Sequence, residues 1–89
     1  MPSVWIPALM RDLTRQQESV HVAGTTLREV IDDLDAQFPG IKARLCQGDG
    51  LRPGLAVVID TQVIRDGLSA TIAANSEVHF IAAIGGGSS

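Results

Sequence analysis

The stretch Thr26-Leu27-Arg28-Glu29-Val30-Ile31-Asp32-Asp33-Leu34-Asp35-Ala36-Gln37-Phe38-Pro39-Gly40 decides the fold. Thr26-Leu27-Arg28-Glu29 matches a capping box, in which the Thr hydroxyl and the Glu carboxylate each satisfy a free N–H at a helix start. Leu27, Val30, Ile31, Leu34 and Phe38 recur at i, i+3, i+4, i+7 and i+11, which is one helical stripe. Arg28, Asp32, Asp33, Asp35 and Gln37 take the remaining surface. Pro39-Gly40 stops the helix. The spacing predicts one amphipathic helix over about 26–38. Its aspartates read as a solvated acidic face, with a docking surface for a basic partner as the alternative.

Upstream, residues 3–13 read as an extended apolar segment in which Pro7 removes a ladder donor, pointing to an edge or a bulge. Thr14 to Gln17 reads as a turn. Ser19-Val20-His21-Val22 alternates with period two, so Val20 and Val22 share one face and His21 the other. The two runs form a hairpin, and Gly24 breaks the pattern before the helix. Downstream, Ile41 to Leu45 reads as a short helical turn and Gln47 to Gly54 as a breaker-rich loop. Leu55-Ala56-Val57-Val58-Ile59 is a strand, Asp60-Thr61-Gln62 turns the chain, and Val63-Ile64 adds a short strand. Leu68 and Ile72 anchor a compact connection, and Asn75-Ser76 turns the chain. Glu77 to Ile84 is the last strand. The order β-β-α-β-(β)-β predicts an α+β fold, a mixed sheet of four or five strands with the helix on one face. Residues 1–84 make this domain, and 85–89 a flexible glycine-rich tail.

The chain has 89 residues and 45% hydrophobic content, enough for one small core. Such a domain buries about 60–65% of its unfolded surface, so its stability margin is thin. One cysteine excludes an internal disulfide and a multi-Cys zinc site. The net charge of −3, seven scattered basic residues and 3% aromatics give no nucleic-acid footprint. No apolar run reaches the roughly 20 residues of a membrane helix. Met1 to Pro7 lacks the features of a secretory signal, so a cytoplasmic protein is expected.

No catalytic constellation assembles from the side chains. His21 and His79 are out of phase with the valines beside them and read as surface residues, without a third metal ligand at short spacing. Cys46 reads as a half-buried small residue rather than a nucleophile. Gly48-Asp49-Gly50 lacks the lysine and the helix start of a phosphate loop. What remains is Gly85-Gly86-Gly87-Ser88-Ser89 directly after a strand. Glycine has no Cβ, so this arm is thin enough to thread a channel and present a main-chain carboxyl. The bland alternative is a linker.

Taken in order, these segments resemble the ubiquitin-like β-grasp sulfur carriers of the ThiS and MoaD type, above all the thiocarboxylate carrier of the actinobacterial route to cysteine. The resemblance covers about residues 4–87. It rests on Ile6-Pro7-Ala8-Leu9, Gly24-Thr25-Thr26-Leu27, the helix end from Phe38 to Leu45, Gly67 to Ile72, and Glu77 through Gly87. It implies a β-grasp domain that is a protein co-substrate rather than an enzyme. Gly87 would be the site of adenylation and thiocarboxylate formation, and Gly85 and Gly86 the threading segment. ATP would be used by an E1-like adenylating partner, with no cofactor bound to the carrier itself.

The sulfur would pass to a cysteine synthase-like enzyme. In the alternative, the chain would be the small subunit of molybdopterin synthase, working with its large subunit. A ubiquitin-like modifier or a plain β-grasp binding module are readings of another class. Two departures stand out. Ala82 occupies a position where the family often has proline. Ser88-Ser89 follows the glycine pair Gly86-Gly87, which implies cleavage at Gly87–Ser88 by a JAMM-type metalloprotease. Partners of the family dock on the sheet face opposite the helix, which places Trp5, His21, His79 and Ile81 as the expected docking residues.

Overall fold

The computed structural model describes residues 1–64 and 67–82. Helix α1 runs Leu27–Gln37, with Thr26 as its N-cap. Thr26 Oγ1 accepts from the Glu29 N–H at 3.2 Å. The Glu29 carboxylate reaches one residue further back than the motif implies. It accepts from the Thr25 N–H at 2.8 Å and the Thr25 hydroxyl at 3.0 Å. These bonds hold its pKa below the ordinary glutamate range. Leu27, Val30, Ile31 and Leu34 are buried, as the stripe requires.

The five-stranded sheet under α1 is built from β1 (Ser3–Trp5), β2 (Ser19–His21), β5 (Leu55–Ile59), β6 (Gln62–Ile64) and β7 (Glu77–Ala82). Their spatial order is β2-β1-β7-β5-β6. The two central strands, β1 and β7, are parallel, and every other pairing is antiparallel. Val4, Val20, Val57, Ile59, Val78 and Phe80 project into the core shared with α1. This is the β-grasp layout expected for the chain.

The first strand is shorter than the sequence suggests. It ends at Trp5, and Pro7 caps a 3-10 turn, Ala8–Met10. The strand is central rather than at an edge. Proline acts here as a terminator: its fixed φ of −58° starts the 3-10 turn just after Ile6 N–H has donated to Glu18 O. The helical turn α2, Ile41–Leu45, follows Gly40 and buries Ile41 and Leu45. The expected loop from Gln47 contains a small hairpin, β3 (Cys46–Gln47) with β4 (Gly50–Leu51). Two-residue strands carry too little pattern to be seen in sequence.

Gly24 has φ +144°, and a Cβ there would lie 2.8 Å from the Val30 nitrogen. The chain can enter α1 along this path only without a side chain. The β5–β6 hairpin turns on Asp60 and Thr61, both with positive φ, +50° and +73°. That is the type I′ arrangement, which usually recruits Asn-Gly or Asp-Gly.

Candidate functional site

Strand β7 leads to the glycine arm, so it organises the candidate site. Residues 83–89 lie outside the described residues, and with them Gly85, Gly86, Gly87 and Ser88. The surroundings of the strand itself are fully visible.

Alternation sends Val78 and Phe80 into the core, and His79 and Ile81 to the face away from α1. Parallel register sets Trp5 directly beside His79. Their rings stack with centroids 5.6 Å apart and planes 4° from parallel. Antiparallel register then sets His79 beside Val58, and Val58 beside Val63. A row of large side chains therefore crosses four strands on the open face. Trp5 is 36% exposed, Ile81 44% and Val63 57%, high values for apolar residues.

Of the four expected docking residues, the structure brings Trp5, His79 and Ile81 together. His21 shares the face but stands on the edge strand in the neighbouring row, where its Nδ1 lies 3.4 Å from Ser3 Oγ. Val58 and Val63 belong to the same surface and were missed. Finding them requires the β5–β7 register, which local pattern alone cannot supply.

The start of β7 is tied down by one carboxylate. Asp60 accepts from the Ser76 hydroxyl at 2.7 Å and the Glu77 N–H at 2.9 Å. The Asp60 N–H donates to Glu77 O at 3.1 Å. The Glu77 N–H and the Ser76 hydroxyl hold the Asp60 pKa below the ordinary aspartate range. Beside this network the open face dips into a shallow concavity lined by Val58, Asp60, Glu77 and His79, among others.

The far end of β7 borders a second concavity, which shares Ile81 with the open face. A groove of about 220 Å³ runs between the 3-10 turn and the β4–β5 connection, with Arg44 and Arg52 on its rim. Arg52 Nε donates to Ala43 O at 3.0 Å.

The helix aspartates, although at the surface, are each tied into the fold. Asp35 caps α2 by accepting from the Gly40 and Lys42 N–H groups, both at 3.1 Å. Asp33 accepts from the Ala23 N–H at 2.9 Å and from Gln37 Nε2 at 3.1 Å. Gln37 in turn donates to His21 O, closing part of the β2 edge. Asp32 pairs with Lys42 at 2.6 Å. Each carboxylate serves the fold.

Burial pushes the Cys46 thiol above its ordinary range, only partly offset by Lys42, so it is a poor nucleophile. Among the described residues no three His, Cys, Asp or Glu groups converge to hold a metal, and no helix is long and apolar enough to cross a membrane.

Known proteins share this arrangement. The model of the ThiS family matches residues 4–87. The sulfur carrier protein CysO of Mycobacterium tuberculosis H37Rv is 35% identical over 92 residues, which cover 96% of this chain and 97% of that protein. The crystal structure of M. tuberculosis CysO superposes with a TM-score of 0.87 at 32% identity, over 93% of this chain and 99% of that one. CysO in the Amycolatopsis orientalis BexX/CysO complex gives 0.90 at 31% identity, over 98% and 100%. Small archaeal modifier protein 1 of Methanosarcina acetivorans shares the fold, with a TM-score of 0.77 at 20% identity over 97% of this chain and 95% of that one. A ubiquitin-like sheet whose central strand runs into a glycine arm, matched along nearly its whole length, places this chain in the ThiS family.

Proposed function

We propose that this chain is a sulfur carrier protein of cysteine biosynthesis that bears sulfur as a thiocarboxylate on the main-chain carboxyl of Gly87. The observation that carries the reading is the near full-length match to CysO sulfur carriers, at 35% identity, running through the glycine arm.

A carboxylate is a poor electrophile, because its charge is delocalised over two oxygens. An E1-like enzyme would therefore join it to AMP with release of pyrophosphate. A sulfur nucleophile would then displace AMP and leave the C–S bond. The carrier contributes the terminus and a recognition surface, and the partners contribute the catalytic groups and bind the ATP. In this reading the chain is a co-substrate rather than an enzyme and works in the cytoplasm, where ATP is available.

Gly85 and Gly86 thread the partner's channel, since only glycine leaves the arm thin on all sides. Activation at Gly87 requires that whatever follows it be removed, and a JAMM-type metalloprotease acting at Gly87–Ser88 would do so. The acceptor of the sulfur is a cysteine synthase-like enzyme. The partners dock on the open face, with Trp5, His79 and Ile81 as its centre and His21 at its edge. A row of exposed apolar side chains on a small domain is the kind of patch that associates.

The test compares the full chain with one truncated after Gly87, each mixed with ATP, a sulfide source and an E1-like adenylating enzyme. AMP should form from the truncated chain and not from the full one until the protease is added. Trp5→Ala should raise KM for the carrier several-fold with the melting temperature little changed. AMP formation from the untreated full chain would overturn the processing step. An unchanged KM would overturn the docking face.

A further inference from the structure

We propose that the groove at the tail end of β7 is a second contact for the activating enzyme, one that receives an acidic segment carrying an apolar side chain. The inference rests on the carrier reading above and names the chemistry of the partner's surface beside the tail.

The floor of the groove is apolar, made by Pro7, Met10, Leu55, Phe80 and Ile81, and through Ile81 it adjoins the open face. Its rim carries two guanidinium groups from different elements, Arg44 on α2 and Arg52 before β5, and no carboxylate lines it among the described residues. Arg44 makes no hydrogen bond or ion pair among them, and Arg52 is held by its Nε on the Ala43 carbonyl. That bond leaves the two terminal nitrogens of Arg52 available in a fixed plane. The chain as a whole is acidic, with a net charge of −3. A carboxylate-free basic rim therefore runs against the overall sign. At the opposite end of β7 the concavity is lined by Asp60 and Glu77. The molecule is polarised along the strand that leads to its tail.

Position supplies the second argument. Ala82 pairs with Leu55 in the sheet, so β7 leaves the described structure beside the groove floor. Gly87 lies five residues beyond Ala82, at most about 18 Å of chain at 3.3–3.6 Å per step. An enzyme holding the Gly87 carboxyl in its active site must bring its own surface within that distance of the groove. Guanidinium groups favour carboxylates, which they can bind in a bidentate way. An aliphatic or aromatic side chain between those carboxylates would fill the floor.

The experiment uses the chain truncated after Gly87, ATP, a sulfide source, an E1-like adenylating enzyme, and poly-L-glutamate as a soluble competitor. For the R44E/R52E variant, KM for the carrier should rise at least about tenfold while kcat stays within about twofold. The wild-type KM should climb with salt and the variant's should not, as expected for contacts that steer association. Poly-L-glutamate should inhibit wild type more than the variant. Both side chains are exposed, so melting temperatures should agree within a few degrees. R44Q/R52Q should shift KM in the same direction by less, and R28E, outside the groove, should leave it unchanged. Equal KM for wild type and R44E/R52E, or equal inhibition by poly-L-glutamate, overturns the inference while leaving the carrier reading intact. No AMP from the wild-type truncated chain overturns both.

Discussion

The two ends of β7 are built differently. At its start, Asp60, Ser76 and Glu77 lock the strand to the β5–β6 turn through three hydrogen bonds of 2.7–3.1 Å. Ser76 O also accepts from the Ser3 N–H at 3.0 Å, tying in the parallel neighbour. At its far end the strand passes a groove rimmed by Arg44 and Arg52, neither of them ion-paired among the described residues, and leads toward the glycine-rich sequence. In the proposed reading one end fixes the strand and the other delivers it. A carrier needs both: a rigid platform that is recognised, and a terminus thin enough to be handed over.

The largest effect expected should separate the ends completely. Gly87→Val should abolish AMP formation by the truncated chain, a loss of at least about 10²-fold from misplacing the reacting carboxyl, with no change in the melting curve. A variant that unfolds would show that the delivering end also serves the fold. Next comes the core that both ends share. Leu34→Ala, at a fully buried site on α1, should cost about 2–5 kcal/mol in denaturant unfolding. Activation per folded molecule should persist.

Smaller effects belong to the anchored end. Ser76 is buried and its hydroxyl makes two hydrogen bonds, accepting from the Ala73 N–H and donating to Asp60, so Ser76→Ala should cost about 1–3 kcal/mol and leave KM for activation alone. Asp60 adds a pH signature. Its folded pKa is depressed, so its contribution is fully present above the ordinary aspartate pKa of about 3.9 and is lost as pH falls through the lower folded value. Urea unfolding between pH 6 and pH 3 should be steeper in pH for wild type than for Asp60→Asn. Identical slopes would show that the anchor does not depend on this charge. Smallest of all, Thr61→Gly should stabilise by a few tenths to about 1 kcal/mol, because a β-branched residue sits at φ +73°.

These ends were unequally legible in the sequence. Helix α1 was readable almost to the residue because capping box, stripe and Pro-Gly stop agree. The glycines after β7 stand out in composition and lie outside the described residues. The anchored end was legible as two turns, at Asp60-Thr61-Gln62 and Asn75-Ser76, but not as an anchor: the bond from Ser76 that joins them spans 16 residues. The groove escaped for the same reason, since Arg44, Arg52, Pro7 and Phe80 meet only in three dimensions. Pro7 was noticed as a disruption of a strand, but whether it bulges or ends one depends on the 3-10 turn that follows. The helix aspartates looked like a surface charge cluster because their partners, Ala23, Gly40 and Lys42, lie beyond the helix.

The most direct test of the carrier claim is the intact mass of the chain truncated after Gly87, incubated with ATP, an E1-like adenylating enzyme and a sulfide source. The account predicts a mass gain equal to replacing one oxygen by sulfur, located by fragmentation on the C-terminal peptide and absent without ATP. An unchanged mass after AMP has formed, or conjugation of the terminus to lysine side chains instead, would contradict it.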